Sequence, residues 1–209
     1  MIADAGVRPY TLPPLDWRLY KAIYDVSLHH HWVGTLFSDI EKASIPVMVV
    51  ITAALWFLSR PGGDRKWKLA CGSGFASAAL SYVIAFVIHH AWDRPRPYET
   101  HQISHPWSSS TDATFPSDHT TVSFAIAFAV LSFDLAAGVI FLVIAAIIGI
   151  GRLFIGAHYP SDVAAGVVVG LIAAGIVVRL LPRFVSWVVS RVERVSDPLL
   201  RPLWRSGTR

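Results

Sequence analysis

Charge is what this sequence has least of: Asp, Glu, Lys and Arg make up 15% of its 209 residues, where a soluble domain ordinarily carries about 25%. The apolar share is 54%, gathered in long runs, and residues 135–150 contain neither a charge nor a proline. A disordered chain and most soluble folds are thereby excluded. Cysteine is nearly absent as well. Cys71 stands alone inside an apolar run, so a disulfide scaffold is excluded and redox compartment cannot be read. Residues 1–14 lack the apolar stretch of a signal peptide. No metal-ligand spacing such as H-E-x-x-H occurs either.

What is present is a series of apolar segments. A bilayer core about 30 Å thick needs about 20 mostly apolar residues in a spanning helix. Five stretches approach this: residues 44–59 with Pro46 in the first turn, 69–88, 119–133, 135–155 and 163–181. The third is long enough only if its helix starts near Ser117. Ahead of them, Leu15, Leu19, Ile23 and Val26 recur at helical spacing, interrupted by Asp16, Arg18, Lys21 and Asp25 and flanked by Trp17, Tyr20 and Tyr24. That pattern predicts an amphipathic helix lying in the membrane interface. A sixth span through residues 26–40 is disfavoured, because His29–His31 and Asp39 are costly in lipid. The expected fold is all-α: a polytopic bundle of about five membrane helices, divided into an interfacial segment (1–43), a membrane domain (44–182) and a basic amphipathic tail (183–209). Gly166, Gly170 and Ala174 give the last span a small-residue face for close packing. Whether that face serves the bundle or a homodimer is open at this level.

The net charge of +4 could suggest a nucleic-acid partner, but its distribution points elsewhere. Residues 60–68 carry Arg60, Arg65, Lys66 and Lys68 against Asp64, and the tail is rich in arginine. The 93–118 loop is net acidic. With five spans both basic segments fall on one side, the cytoplasmic one by the positive-inside rule. Phe184, Trp187 and Val188 would let the tail lie along the anionic inner surface. No nucleic-acid partner is expected.

Three polar clusters then share the outer side: residues 89–98 (HHAWDRPRPY), 115–120 (FPSDHT) and 151–162, which holds Arg152, His158 and Asp162. Arginines supply forked donors that match phosphate oxygens. Ser117 at a helix start adds a hydroxyl beside unpaired N–H groups. Two histidines allow one to attack while the other donates a proton, and a carboxylate can orient the attacker. Together these parts describe phosphoryl transfer through a phosphohistidine. Singly, Ser117 and Asp162 are also good helix caps, and Arg94 and Arg96 could belong to a solvated loop; their conjunction carries the reading.

The clusters resemble the signature of the type-2 phosphatidic acid phosphatase superfamily, K-x6-R-P, P-S-G-H and S-R-x5-H-x3-D. Arg96-Pro97 matches the first, Pro116, Ser117 and His119 the second, and Arg152, His158 and Asp162 the third. The resemblance implies that His158 is the nucleophile, Asp162 its orienting partner and His119 the general acid. It implies that Arg96, Arg152 and Ser117 hold phosphoryl oxygens, and that no metal or other cofactor is needed. Three positions depart: His89 stands for the lysine, Asp118 for the glycine and Gly151 for the serine. His89 and Asp118 are therefore carried as site candidates, and Arg94 as a further phosphate ligand that could replace the lysine.

The R-P-R-P and F-P-S-D-H-T strings look most like the bacterial undecaprenyl-diphosphate phosphatase branch. That resemblance implies a multi-pass enzyme of the bacterial cell membrane with its site facing out. Its polyprenyl substrate would be a carrier lipid recycled for cell-wall synthesis. Phosphatidic acid, phosphatidylglycerol phosphate or lipid A phosphate are the alternative substrates, and a lipid-phosphate binder or transporter is the non-enzymatic one.

Overall fold

The computed structural model describes residues 14–101, 103–104 and 107–205; residues 1–13, most of the stretch read as lacking a signal peptide, lie outside the described residues. The described residues form helices joined by loops: α1 (Pro14–His29), α2 (His31–Leu55), α3 (Lys66–Ala91), α4 (Pro97–Thr100), α5 (Asp118–Leu131), α6 (Leu135–Phe154), α7 (Pro160–Leu180) and α8 (Pro182–Arg205). Four segments are long and apolar enough to cross a membrane: His31–Leu58, in which a 3-10 turn extends α2, and α3, α6 and α7. The chain is thus a polytopic helical bundle.

α5 is apolar but has only 14 residues, about 21 Å at 1.5 Å per residue. It packs against α7, α6 and α3. Buried residues occur on every side of it, including Thr121, Ser123, Ala125, Ile126 and Val130, which marks a central helix rather than a lipid-facing one. The small-residue face of α7 is used here. A Cβ on Gly170 would lie 2.8 Å from the Ala125 backbone nitrogen, and one on Gly166 3.0 Å from Thr120 Cβ. Close approach of α5 and α7 requires both glycines. At the far end Asp134 caps α6, accepting from the Ala137 N–H at 2.9 Å and from Lys66 Nζ at 2.6 Å.

One expectation needs correction at the N-terminal end. The first span does not start at residue 44: α2 runs unbroken from His31, so the boundary between residues 43 and 44 falls inside a helix and Pro46 is internal to it. The polar residues there have partners. Glu41 pairs with Arg152, Asp39 with Lys42, and Ser44 Oγ donates to the Glu41 carbonyl at 2.6 Å, close to the backbone that Pro46 disrupts. α1 is amphipathic, as its pattern suggested. Its aliphatic stripe faces outward, with Leu15, Leu19 and Val26 exposed, while Asp16, Tyr20 and Tyr24 are buried against the bundle. In a membrane the apolar face looks away from the protein and the polar face toward it.

α8 is helical as the basic tail suggested. It buries Val185 and Val189 near Trp56, Leu69 and Ala76 and leaves Phe184, Trp187, Val195 and Leu199 exposed. Arg65 pairs with Glu193 at 2.9 Å and the buried Lys68 with Asp197 at 2.7 Å. The two basic segments therefore meet at the end of α3 opposite to His89.

Candidate active site

The polar clusters converge at the other end of the bundle. In the extended 92–96 segment the two Arg-Pro steps hold the backbone away from helix, and Arg96 enters α4 with φ −72° and ψ 160°. Its N–H donates to Glu99 Oε2 at 2.7 Å. After α6 the chain turns through Gly156 at φ +74°, the left-handed position that commonly follows a helix C-terminus. A Cβ there would lie 2.6 Å from the Tyr24 ring, so α1 seals this turn and fixes the segment that carries His158.

His158 is fully enclosed. Its Nδ1 lies 2.9 Å from the Thr114 carbonyl oxygen and 3.0 Å from Thr114 Oγ1, and the carbonyl, an acceptor only, requires a proton on Nδ1. Nε2 then carries the lone pair, which accepts from Arg152 Nη2 at 3.1 Å. Burial first, then the charges of Arg152 and Arg96, push the His158 imidazole well below its ordinary pKa, so it is neutral and nucleophilic near neutral pH. Asp162 is held close by. Oδ2 stands 3.7 Å from His158 Nδ1 and accepts from Thr114 Oγ1 and from the Tyr159 N–H, each at 2.8 Å. Asp162 occupies the third position of α7 and closes a capping box on Tyr159, so it caps the helix and faces the histidine at once.

Before Nε2 lies a cavity of about 80 Å³ lined by His158, His119, Arg96, Arg152, His89 and Asp118, together with Glu41 and Asp112. Arg96 is gripped from behind: Nη2 meets Asp112 Oδ1 at 2.8 Å and Nη1 the Ala157 carbonyl at 3.0 Å. Arg152 pairs with Glu41. His89 Nε2 donates to the Pro116 carbonyl at 2.9 Å and stands 3.8 Å from Asp118 Oδ1, an oxygen with no hydrogen-bond partner. Asp118 thus faces His89 instead of turning away from the site. A shallower hollow of about 440 Å³ shares His89, Asp112 and Asp118 with the cavity and extends to Tyr82 and Phe86, both exposed on α3. The arrangement suits a tetrahedral anion, since two guanidinium groups and the imidazoles of His158 and His119 line one small cavity.

Two sequence candidates sit elsewhere. Arg94 does not line the cavity. It is 2% exposed and spans Asp16, at 2.7 Å, and Asp162, so it lies behind the carboxylate and not against a phosphate. Ser117 is also off the cavity. Fully buried, its Oγ accepts from Thr120 Oγ1 at 3.1 Å and makes no cap to its helix, while its N–H donates to the Asp162 carbonyl at 3.2 Å. Sequence reasoning missed Glu41, Asp112, Thr114 and Asp16. For Asp16 a signal existed, since Asp16, Tyr20 and Tyr24 repeat every four residues along one face of α1.

Comparison with known proteins gives the same direction. The chain is 30% identical over 191 residues to undecaprenyl-diphosphatase BcrC of Bacillus subtilis, covering 90% of this chain and 96% of that one. Among solved structures, LpxE of Aquifex aeolicus is similar with a TM-score of 0.61 at 23% identity, covering 83% of this chain and 98% of that one. A transmembrane phosphatidylglycerolphosphate phosphatase of Bacillus subtilis is similar with a TM-score of 0.58 at 20% identity, covering 79% and 85%. At such identities the structures speak for the fold alone. Residues 72–186 match the PAP2 superfamily, and because that stretch takes in the polar loops between α3 and α7 with His119, Arg152 and His158, the chain belongs to this superfamily.

Proposed function

We propose that the protein is a membrane lipid phosphatase that hydrolyses undecaprenyl diphosphate to undecaprenyl phosphate, recycling the carrier lipid of cell-wall synthesis. The observation that carries this is the His158 imidazole, its tautomer set by Thr114, with Nε2 facing a small cavity flanked by Arg96 and Arg152. The near end-to-end similarity to a named undecaprenyl-diphosphatase supports the choice of lipid.

In the free site Arg152 Nη2 occupies the Nε2 lone pair. An arriving phosphoryl group takes up that donor, and Nε2 is released to attack phosphorus. Burial and the charges of Arg152 and Arg96 lower the His119 pKa to about 4 in the free site, and the arriving phosphate anion offsets those charges and lets the ring take up a proton. The N–P bond then forms as the P–O bond to undecaprenyl phosphate breaks, and His119 gives that proton to the departing oxygen. His119 then accepts a proton from water, whose oxygen attacks the phosphohistidine, breaking N–P and releasing inorganic phosphate. Asp162, beside Nδ1, balances the positive charge that the ring gains in the first step. Arg96 and Arg152 carry the charge compensation, so turnover is expected to persist in chelator.

The 80 Å³ cavity has room for a headgroup only, and the hollow leading to Tyr82 and Phe86 gives the isoprenoid chain a way out toward lipid. We place this end of the bundle outside the cell, because the basic 60–68 loop and α8 gather at the opposite end. The deciding experiment measures phosphate release in detergent from undecaprenyl diphosphate, phosphatidic acid, phosphatidylglycerol phosphate and lipid A, with His158→Ala as control. Preference for a glycerophospholipid or lipid A overturns the choice of lipid. Undiminished release by His158→Ala overturns the mechanism.

A further inference from the structure

We propose that Asp16, on the N-terminal helix α1, is a positioning residue for phosphoryl transfer: acting through Arg94, it keeps the Asp162 carboxylate turned toward His158 and adds a second negative charge behind it. This rests on the function proposed above.

The geometry is a buried chain of charges. Asp16 Oδ2 meets Arg94 Nη2 at 2.7 Å and Ser161 Oγ at 2.6 Å, and Asp16 Oδ1 accepts the Ser161 N–H at 3.0 Å. Ser161 Oγ in turn accepts from Arg94 Nη1 at 2.7 Å, and Nη1 also binds Asp162 Oδ1. Asp162 Oδ2, the other oxygen of that carboxylate, is the one beside His158. Tyr159 covers the guanidinium at 4.5 Å from its ring centroid. Asp16 is 6% exposed, Arg94 2% and Asp162 0%.

Burying a charged group is costly unless it is matched, and one carboxylate is enough to match one guanidinium. Here two carboxylates flank Arg94. With both in place the trio carries a net negative charge, and that charge is available where the His158 ring becomes positive. Without Asp16, Arg94 is left wholly to Asp162, and the pair is neutral. On the cavity side of His158, Arg152 on α6 and Arg96 ahead of α4 are cationic and disfavour a charged ring, and His119 and Asp118 on α5 and His89 on α3 line the same cavity. The acids Glu41 on α2 and Asp112 in the loop are bound to those arginines. α1 therefore adds a second carboxylate behind Asp162, on the Nδ1 side of the ring.

The test uses the full chain in detergent with undecaprenyl diphosphate, comparing wild type, Asp16→Asn, Asp16→Glu and Ser161→Ala, with folded yield measured by size exclusion. Asp16→Asn is expected to lower kcat by about 10–100-fold, by analogy with the outer partners of metal-bound imidazoles, with KM little changed. Because a negative charge near the ring is removed, the protonated ring is disfavoured and the acid limb of kcat/KM moves to lower pH. Asp16→Glu keeps the charge and retains the wild-type limb. Wild-type kcat per folded molecule with an unmoved limb would show a structural tie only and overturn the proposal, as would a raised KM with unchanged kcat. Should Asp16→Asn not fold, Ser161→Ala decides: a several-fold fall in kcat at constant KM supports the role, and no fall overturns it. Inactivity of wild type on every lipid phosphate, or full activity of His158→Ala, sinks the proposed function instead.

Discussion

Thr114→Val tests the hydroxyl that stands between His158 and Asp162, 3.0 Å from Nδ1 and 2.8 Å from Oδ2. Valine has nearly the shape of threonine and keeps the carbonyl that accepts from His158 Nδ1 at 2.9 Å, but it removes the hydroxyl that donates to Asp162 Oδ2 at 2.8 Å. Asp162 is fully buried, so water does not replace the lost donor, and a hydrogen bond to a charged group is worth about 1.5–3 kcal/mol. The Tyr159 N–H continues to donate to the same oxygen, which keeps the carboxylate in place and puts the loss toward the lower figure. If the hydroxyl holds Oδ2 in register for the charge that develops on His158, about 1.5–3 kcal/mol corresponds to a fall in kcat of about 10–150-fold. Thr114→Ser, which restores the hydroxyl, should recover most of it. The assay is phosphate release per folded molecule at saturating lipid, with thermal stability measured alongside. Wild-type kcat in Thr114→Val, with stability alone reduced, would refute the idea that the hydroxyl couples Asp162 to His158.

Four further outcomes are expected. Since the His158 pKa is lowered by burial and by its arginine neighbours, kcat/KM should hold as pH falls through about 6.5 and drop only below that. Stability has the same sign: the unfolded chain takes up the proton that the buried ring refuses, so it declines below about pH 6.5 in a thermal titration. Glu41→Gln frees Arg152 from its acid partner and should tighten inhibition by vanadate by about three- to tenfold while lowering stability; unchanged inhibition would show that Arg152 does not reach the anion. Gly170→Ala drives a methyl into the α5 backbone and should destabilise by about 1–3 kcal/mol, whereas Gly175→Ala meets nothing within 4 Å and should be neutral by the same unfolding assay. His119→Ala should slow lipids with poor leaving groups more than activated esters; equal losses would remove it as the acid.

The apolar helices were legible where nothing competes with the membrane. α6, with its uncharged run, begins and ends within a residue of its expected bounds. α2 was not legible over residues 31–43, because the partner that makes Glu41 acceptable, Arg152, lies 111 residues away. The two Arg-Pro steps show the same limit within one loop. Arg94 and Arg96 have nearly identical neighbours in sequence, yet one reaches Asp16 and Asp162 and the other Asp112 and Ala157. Local sequence placed both arginines at the site, and only the tertiary fold separates the one at the cavity from the one behind it. α1 was legible as an amphipathic helix, but not the burial of its polar face, because the partners of Asp16, Tyr20 and Tyr24 lie 78 to 136 residues away.

The brevity of α5 has a consequence for how a lipid is handled. α5 and α6 run side by side from a tight turn, and with 14 residues against 20 α5 stops about 9 Å short of its neighbour's end. Its amino end, with His119 in the first turn, is therefore recessed from the end of α6, beside the small cavity and the hollow that leads out to Tyr82 and Phe86. On the function proposed above, a headgroup reaches His119 by that hollow while its tail stays against α3 in the bilayer, so turnover is expected to respond to bilayer thickness and fluidity.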